Sequence, residues 1–197
     1  LGGSIRIPAS CCGLVGLKVS RGRITQGPDA SDAMSGMSVD NLVSRTVRDT
    51  ALMLDLTSAP DHGDPYFAMT PDGSYLEGIA TPPRKLKIGV ALKSFDDSAF
   101  DPQVLAAIKN TTKLLEDFGH TVEEASPDFD HMRTRIGIMT LWGTNGAYGI
   151  ELLKRTLNRE PTLDYLEPIT YHLYLRGKEP FGYQQIWARH RMHKGAR

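Results

Sequence analysis

Two adjacent glycines directly before a serine, Gly2-Gly3-Ser4, constrain this chain of 197 residues more than any other feature of it. Glycine enters backbone conformations closed to other residues, so such a pair breaks helix and strand alike and folds the chain tightly. A turn of that kind aims successive backbone N–H groups into one concavity. A serine hydroxyl is a weak nucleophile until a base takes its proton, and the tetrahedral oxyanion must then be met by preorganised donors. One short stretch can therefore present both a nucleophile and its oxyanion donors. The same three residues also read as a plain tight turn, or as a phosphate-binding loop of unrelated type. Their surroundings decide.

Those surroundings are specific. Leu1-Gly2-Gly3-Ser4-Ile5-Arg6-Ile7-Pro8-Ala9-Ser10, then Cys11-Cys12-Gly13-Leu14-Val15-Gly16-Leu17-Lys18, then Ser20-Arg21-Gly22-Arg23, resemble the second half of the amidase signature. The stretch Ser38-Val39-Asp40-Asn41-Leu42-Val43-Ser44-Arg45-Thr46-Val47-Arg48-Asp49-Thr50-Ala51 resembles the one that follows it in that family. Order, spacing and residue type agree over residues 1–58; the rest agrees only in its rhythm of secondary structure.

The resemblance implies a serine amidohydrolase that works through an acyl-enzyme, with no metal and no cofactor, on small amides. It assigns Ser4 as nucleophile and the backbone N–H groups of Leu1, Gly2, Gly3 and Ser4 as oxyanion hole. It also implies a lysine base well upstream, relayed through a second serine in a cis peptide; neither is present in these residues. Lys18 matches the family's Gly-Leu-Lys position, which is structural there. Val19 stands where the family usually has proline, which alters a backbone restraint and no reacting group. Arg6 is expected to anchor the turn through a buried ion pair. The SRGRITQGPD continuation is more similar to stand-alone bacterial amidases than to the tRNA-dependent amidotransferase subunit, and the SCCGLVGLK wording resembles that of hydrolases of small linear or cyclic amides. That subunit and a non-catalytic binding module remain the alternatives. Losing triad members costs orders of magnitude in rate, so these residues alone are expected to be inactive.

Lys plus Arg and Asp plus Glu number 23 each, a balance that argues against nucleic acid or an anionic membrane as partner. No apolar run is long enough to span a bilayer, and Leu1 to Ser10 has neither the basic nor the apolar region of a secretory signal. The two cysteines, Cys11 and Cys12, are adjacent and poorly placed to pair, so a cytoplasmic setting is expected. The chain lacks an initiator Met and opens on an apolar phrase, so both ends read as truncations of a longer protein, for which a homodimer is compatible.

Local signals predict an α/β protein: a layered α/β/α sandwich with a mixed sheet, incomplete in this chain. It reads as the central and C-terminal-side part of one amidase domain. Residues 1–58 are the signature segment, with turns and a buried strand near 14–19. A helix over 46–58 is capped by Thr46 and Asp49, its apolar stripe formed by Val47, Ala51, Leu52 and Leu54. Residues 59–85 form a Pro-rich surface connection. Over 86–125 a strand, a helix from Asp101-Pro102 to a Gly119 stop, and a second strand make a βαβ unit. Val104, Ile108, Leu114, Leu115 and Phe118 are its helix's expected buried side. Residues 126–197 are helical, on the substrate-pocket side, with helices at 131–158 and 182–194.

His190 and His193 lie three apart on a predicted helix without a third ligand nearby, and read as solvated side chains. His62, His120, His131 and His172 are scattered, so a Ser-His-Asp reading has little support. Cys11 and Cys12 are expected in the core. The run Leu141-Trp142-Gly143-Thr144-Asn145-Gly146-Ala147-Tyr148-Gly149 mixes aromatics with glycines. It suits either a pocket wall, with Trp142 and Asn145 binding substrate, or close helix packing made possible by small residues.

Overall fold

Gly13 ends a helix in a segment where the sequence leads one to expect only turns. The structure, a computed structural model, describes residues 3–30, 32–96, 98–128 and 130–195. In it α1 (Arg6–Cys12) stops at Gly13, whose left-handed backbone (φ 64°) returns its N–H to the Ala9 carbonyl. Ala9 is the buried residue of α1. Cys11 and Cys12 are accordingly exposed free thiols rather than core residues, and Arg6 is exposed rather than held in a buried ion pair.

The expected strand at 14–19 contracts to β1 (Val15–Gly16). It pairs antiparallel with β2 (Val43–Ser44), Val15 opposite Ser44 and Gly16 opposite Val43. Gly16 is required by close approach, since a Cβ there would lie 2.6 Å from both the Ala9 Cβ and the Ile5 carbonyl oxygen. Asn41 Nδ2 extends the pairing by donating to the Leu17 carbonyl at 2.9 Å. The two signature-like phrases thus fold against each other.

Thr46 caps α2 (Val47–Thr57) by accepting from the Asp49 N–H at 3.0 Å. Ala51 and Leu54 are buried as expected, but Val47 and Leu52 are exposed. Thr50 takes their place, its hydroxyl 2.8 Å from Ser44 Oγ, because the helix leans on β2 through that pair. Asp55 accepts from the N–H groups of Tyr75 and Leu76 at 2.6 and 3.0 Å, docking α3 (Tyr75–Gly78) within the Pro-rich connection.

β3 (Lys87–Val90), α4 (Pro102–Asp117) and β4 (Thr121–Glu124) form the expected strand–helix–strand unit, with the strands parallel. Asp101 accepts from the Gln103 N–H at 2.8 Å, Pro102 begins the helix, and Gly119 (φ 80°) lies beyond its end. The apolar side of α4 is only partly covered: Ile108 and Leu115 are half-buried, but Val104, Leu114 and Phe118 are exposed.

Asp130 caps α5 (His131–Leu157), accepting from the Arg133 N–H at 3.0 Å. Two further helices pack on α5: α6 (Pro168–Gly177), which lies in the stretch expected to be helical but between the two helices given bounds there, and α7 (Gly182–Gly195). Arg191 of α7 pairs with Asp130 at 3.0 Å. α5 and α6 cross at a glycine pair, where a Cβ on Gly177 would collide with the Gly143 carbonyl. Leu141 and Ala188 are fully buried near these crossings. Tyr174 Oη and Lys178 Nζ both donate to Glu151 Oε1, at 2.7 and 3.0 Å. These hydrogen bonds hold the Glu151 carboxyl below its ordinary pKa.

The class is α/β, yet the strands among the described residues form two separate two-stranded sheets, one antiparallel and one parallel. A broad mixed sheet is not assembled from them. None of the helices among the described residues is long and apolar enough to cross a membrane. The accessible surface is 14385 Å², against about 9,200 Å² for a compact monomer of this size. Uncovered faces such as that of α4 account for the excess. The isolated chain is therefore predicted to self-associate and to melt without a cooperative transition; monomeric elution with a sharp melt would contradict this. In the full-length protein, Gly177→Ala is predicted to cost about 1–3 kcal/mol by overpacking the α5–α6 crossing, read as a lower urea midpoint.

Candidate active site

Ser4 is exposed, in a turn of residues 3–5 directly ahead of α1. Gly3 is buried and takes φ 111°, and a Cβ there would stand 3.2 Å from Ile7 Cδ1. The conformation therefore demands glycine, while the exposed Ile7 side chain could yield the space. The Ile7 N–H donates to the Gly3 carbonyl at 2.8 Å, tying the turn to the start of α1. The Ile5 carbonyl is the group Gly16 passes against, so β1 braces the serine turn from behind. Leu1 and Gly2 lie outside the described residues. Of the four expected oxyanion donors, the structure describes Gly3 and Ser4.

Ser4 opens onto a cleft of about 210 Å³. Gly3, Ser4 and Ile5 line one part of it, Lys18 another, Met34, Ser38 and Val39 a third, and Trp142 of α5 completes it. Of the two substrate-contact candidates on α5, Trp142 thus shares a cleft with Ser4. Asn145 is not among the lining residues. One turn along the helix, its Nδ2 donates to the Leu141 carbonyl at 2.7 Å and to Ser35 Oγ at 3.2 Å. The same run carries both readings of its glycines and aromatics, since Gly143 packs on Gly177 while Trp142 faces the cleft.

The segment holding Met34 is unusual. Met34 and Ser35 adopt left-handed backbone, φ 53° and 57°, and Gly36 follows at φ 76°. Such placement costs roughly 1–2 kcal/mol for each residue other than glycine, and persists where the surroundings over-determine it. The Met37 N–H donates to the Met34 carbonyl at 3.2 Å, and Arg21 Nη2 reaches Met37 Sδ at 3.6 Å. Tyr66 Oη lies against Gly36 and accepts from Arg189 Nη2 at 2.6 Å. No periodic or turn signal marks Met34 in the sequence, whereas Ser38 and Val39 fall at the start of the second signature-like phrase.

Lys18 Nζ donates to the Val19 carbonyl. No histidine lines the cleft, and among the described residues no three His, Cys, Asp or Glu side chains gather into a metal-binding group.

A family model described as Amidase matches residues 1–183. The chain belongs to the amidase family. Among curated amidase relatives, a 6-aminohexanoate-cyclic-dimer hydrolase of Pseudomonas sp. (strain NK87) is 42% identical over 184 residues, covering 91% of this chain and 37% of that protein. The same-named protein of Paenarthrobacter ureafaciens is 42% identical over 129 residues, 64% of this chain and 26% of that one. The matches thus span between 26% and 37% of the length of these two curated relatives. A solved structure of 6-aminohexanoate cyclic dimer hydrolase complexed with substrate superposes with a TM-score of 0.89 at 32% identity, over 98% of this chain and 41% of that one. A bacterial aryl acylamidase, at a TM-score of 0.77 and 16% identity, shares the amidase fold.

In the full-length amidase, Lys18→Met is predicted to leave the rate of fluorophosphonate labelling of Ser4 within an order of magnitude of wild type. A fall of about three orders or more, as loss of a triad base gives, would make Lys18 that base.

Proposed function

We propose that the full-length protein hydrolyses a carboxylic amide through an acyl-enzyme on Ser4. The observation that carries this reading is the placement of Ser4. It is exposed on a glycine-enforced turn and opens onto a cleft walled by Met34, Val39 and Trp142, on a scaffold like that of an amide hydrolase solved with substrate. Ser4 Oγ attacks the amide carbonyl carbon while its proton passes to a base. The tetrahedral oxyanion is met by the N–H groups of the serine turn, assigned to Leu1, Gly2, Gly3 and Ser4. The C–N bond breaks, the amine leaves with a proton, and water hydrolyses the remaining ester to free the acid and Ser4. The family resemblance implies that the base is a lysine relayed through a serine, neither of which is among these residues. This chemistry requires no metal or cofactor.

The mixed lining favours a compact, largely apolar substrate with few polar groups beyond the amide. The relatives named for the cyclic dimer of 6-aminohexanoate make small cyclic or linear amides the class we propose. The residues then form the central and C-terminal-side part of one amidase domain. With two free thiols, a reducing cytoplasm is the setting we assign to it.

The test is the full-length protein incubated with the cyclic dimer of 6-aminohexanoate, with amine release measured and fluorophosphonate labelling run in parallel. Ser4→Ala is expected to abolish labelling and lower turnover by about 10⁴-fold or more. Labelling that survives Ser4→Ala would move the nucleophile elsewhere. Labelling without turnover of this or any simple amide would speak for a different acyl acceptor.

A further inference from the structure

We propose that Asn145 is a positioning residue that sets the shape of the Ser4 cleft from outside it, by holding the left-handed Met34-Ser35-Gly36 turn. The inference rests on the amidase reading above. Three observations carry it. Met34 lines the cleft beside Ser4, so the conformation of its turn decides where one wall stands. That turn places two side-chain-bearing residues in succession in left-handed backbone, a conformation that local preference opposes. Asn145, distant in sequence, donates its Nδ2 to Ser35 Oγ at 3.2 Å, and is itself oriented by the carbonyl of the fully buried Leu141 at 2.7 Å.

Asn145 therefore ties the turn to the most deeply buried point of α5. Trp142, three residues earlier on the same helix, lines the cleft. A single rigid element thus supplies one lining residue and holds the neighbour of another, so the placement of Met34 relative to Trp142 is set by α5 rather than by the loop. Arg21 at Met37 and Tyr66 at Gly36 restrain the far end of the turn, Gln26 Oε1, accepting from the Ala33 N–H at 3.2 Å, restrains the near end, and the Asn145 bond holds Ser35 between them. The consequence is selectivity. Loosening the turn changes which acyl or amine group fits, while the serine turn, braced separately by Gly16, keeps its chemistry.

The experiment uses the full-length protein and its Asn145→Ala, Ser35→Ala, double and Ser35→Gly variants. One readout is hydrogen exchange at the Met37 and Ser38 amides, which donate to the Met34 and Ala33 carbonyls. The other is KM and kcat on the 4-nitroanilides of acetate, butyrate and hexanoate. Asn145→Ala and Ser35→Ala are each expected to speed exchange and to change the hexanoate-to-acetate KM ratio by about threefold to tenfold, the worth of one neutral hydrogen bond, with kcat on the acetate little changed. The double variant should match either single one, because both remove the same bond. Ser35→Gly, which removes the acceptor but also the strain, should exchange more slowly than Ser35→Ala and be insensitive to Asn145→Ala.

Unchanged exchange in Asn145→Ala, or additive effects in the double variant, would overturn the positioning role. Faster exchange with an unchanged KM ratio would overturn its link to selectivity. If the turn loosens as expected but no amide is cleaved by the wild type, it is the hydrolase reading that fails.

Discussion

The approach of Gly16 to Ile5 and Ala9 is the contact on which the candidate site depends. At 2.6 Å from the position of a Cβ, the Ile5 carbonyl and the Ala9 methyl leave no room for a side chain at position 16 of β1. The backbone of β1 therefore lies directly behind the serine turn. Because β1 also pairs with β2, the brace extends through Asn41 and Ser44 to the start of α2. A reacting group carried on a turn is only as well placed as that turn, and the turn of the candidate Ser4 is held by backbone packing rather than by long side chains.

The second half of the chain acts on the site from the opposite direction. α5 is fixed by its own neighbours, through the Gly143–Gly177 crossing with α6 and through Ala188 of α7 against Gly137. Small residues let these helices approach closely, and the resulting rigidity makes α5 able to present Trp142 to the cleft and to hold the strained turn at Ser35. Glycines in one run thus serve packing while the aromatic between them serves the cleft. The competing readings of that run prove compatible because a helix shows different residues to different sides.

Much of the fold was legible because its signals are local. Thr46 with Asp49, Asp101 with Pro102, and Gly119 each act over a few residues, and the structure places each cap and stop where the pattern implies. The parallel β3–β4 pair followed from the length of the helix between them. Expectations failed where burial was inferred from hydrophobicity alone. Val47, Leu52 and, on α4, Val104, Leu114 and Phe118 are exposed, because a periodic stripe says which residues share a face and not whether anything lies against it. Cys11 and Cys12 failed likewise, since α1 rests on its surroundings through Ala9.

By itself the sequence determined the family and the candidate nucleophile, since the phrase around Ser4 constrains backbone geometry residue by residue. Glycine at position 3 is written into a φ of 111°, and glycine at 16 into a contact with no space for a methyl. Only the tertiary structure decided what faces Ser4. Met34 comes from a loop without a pattern and Trp142 from a helix far along the chain. Their meeting depends on the sum of many packing contacts, none of which is strong enough, or local enough, to leave a signature in the order of residues.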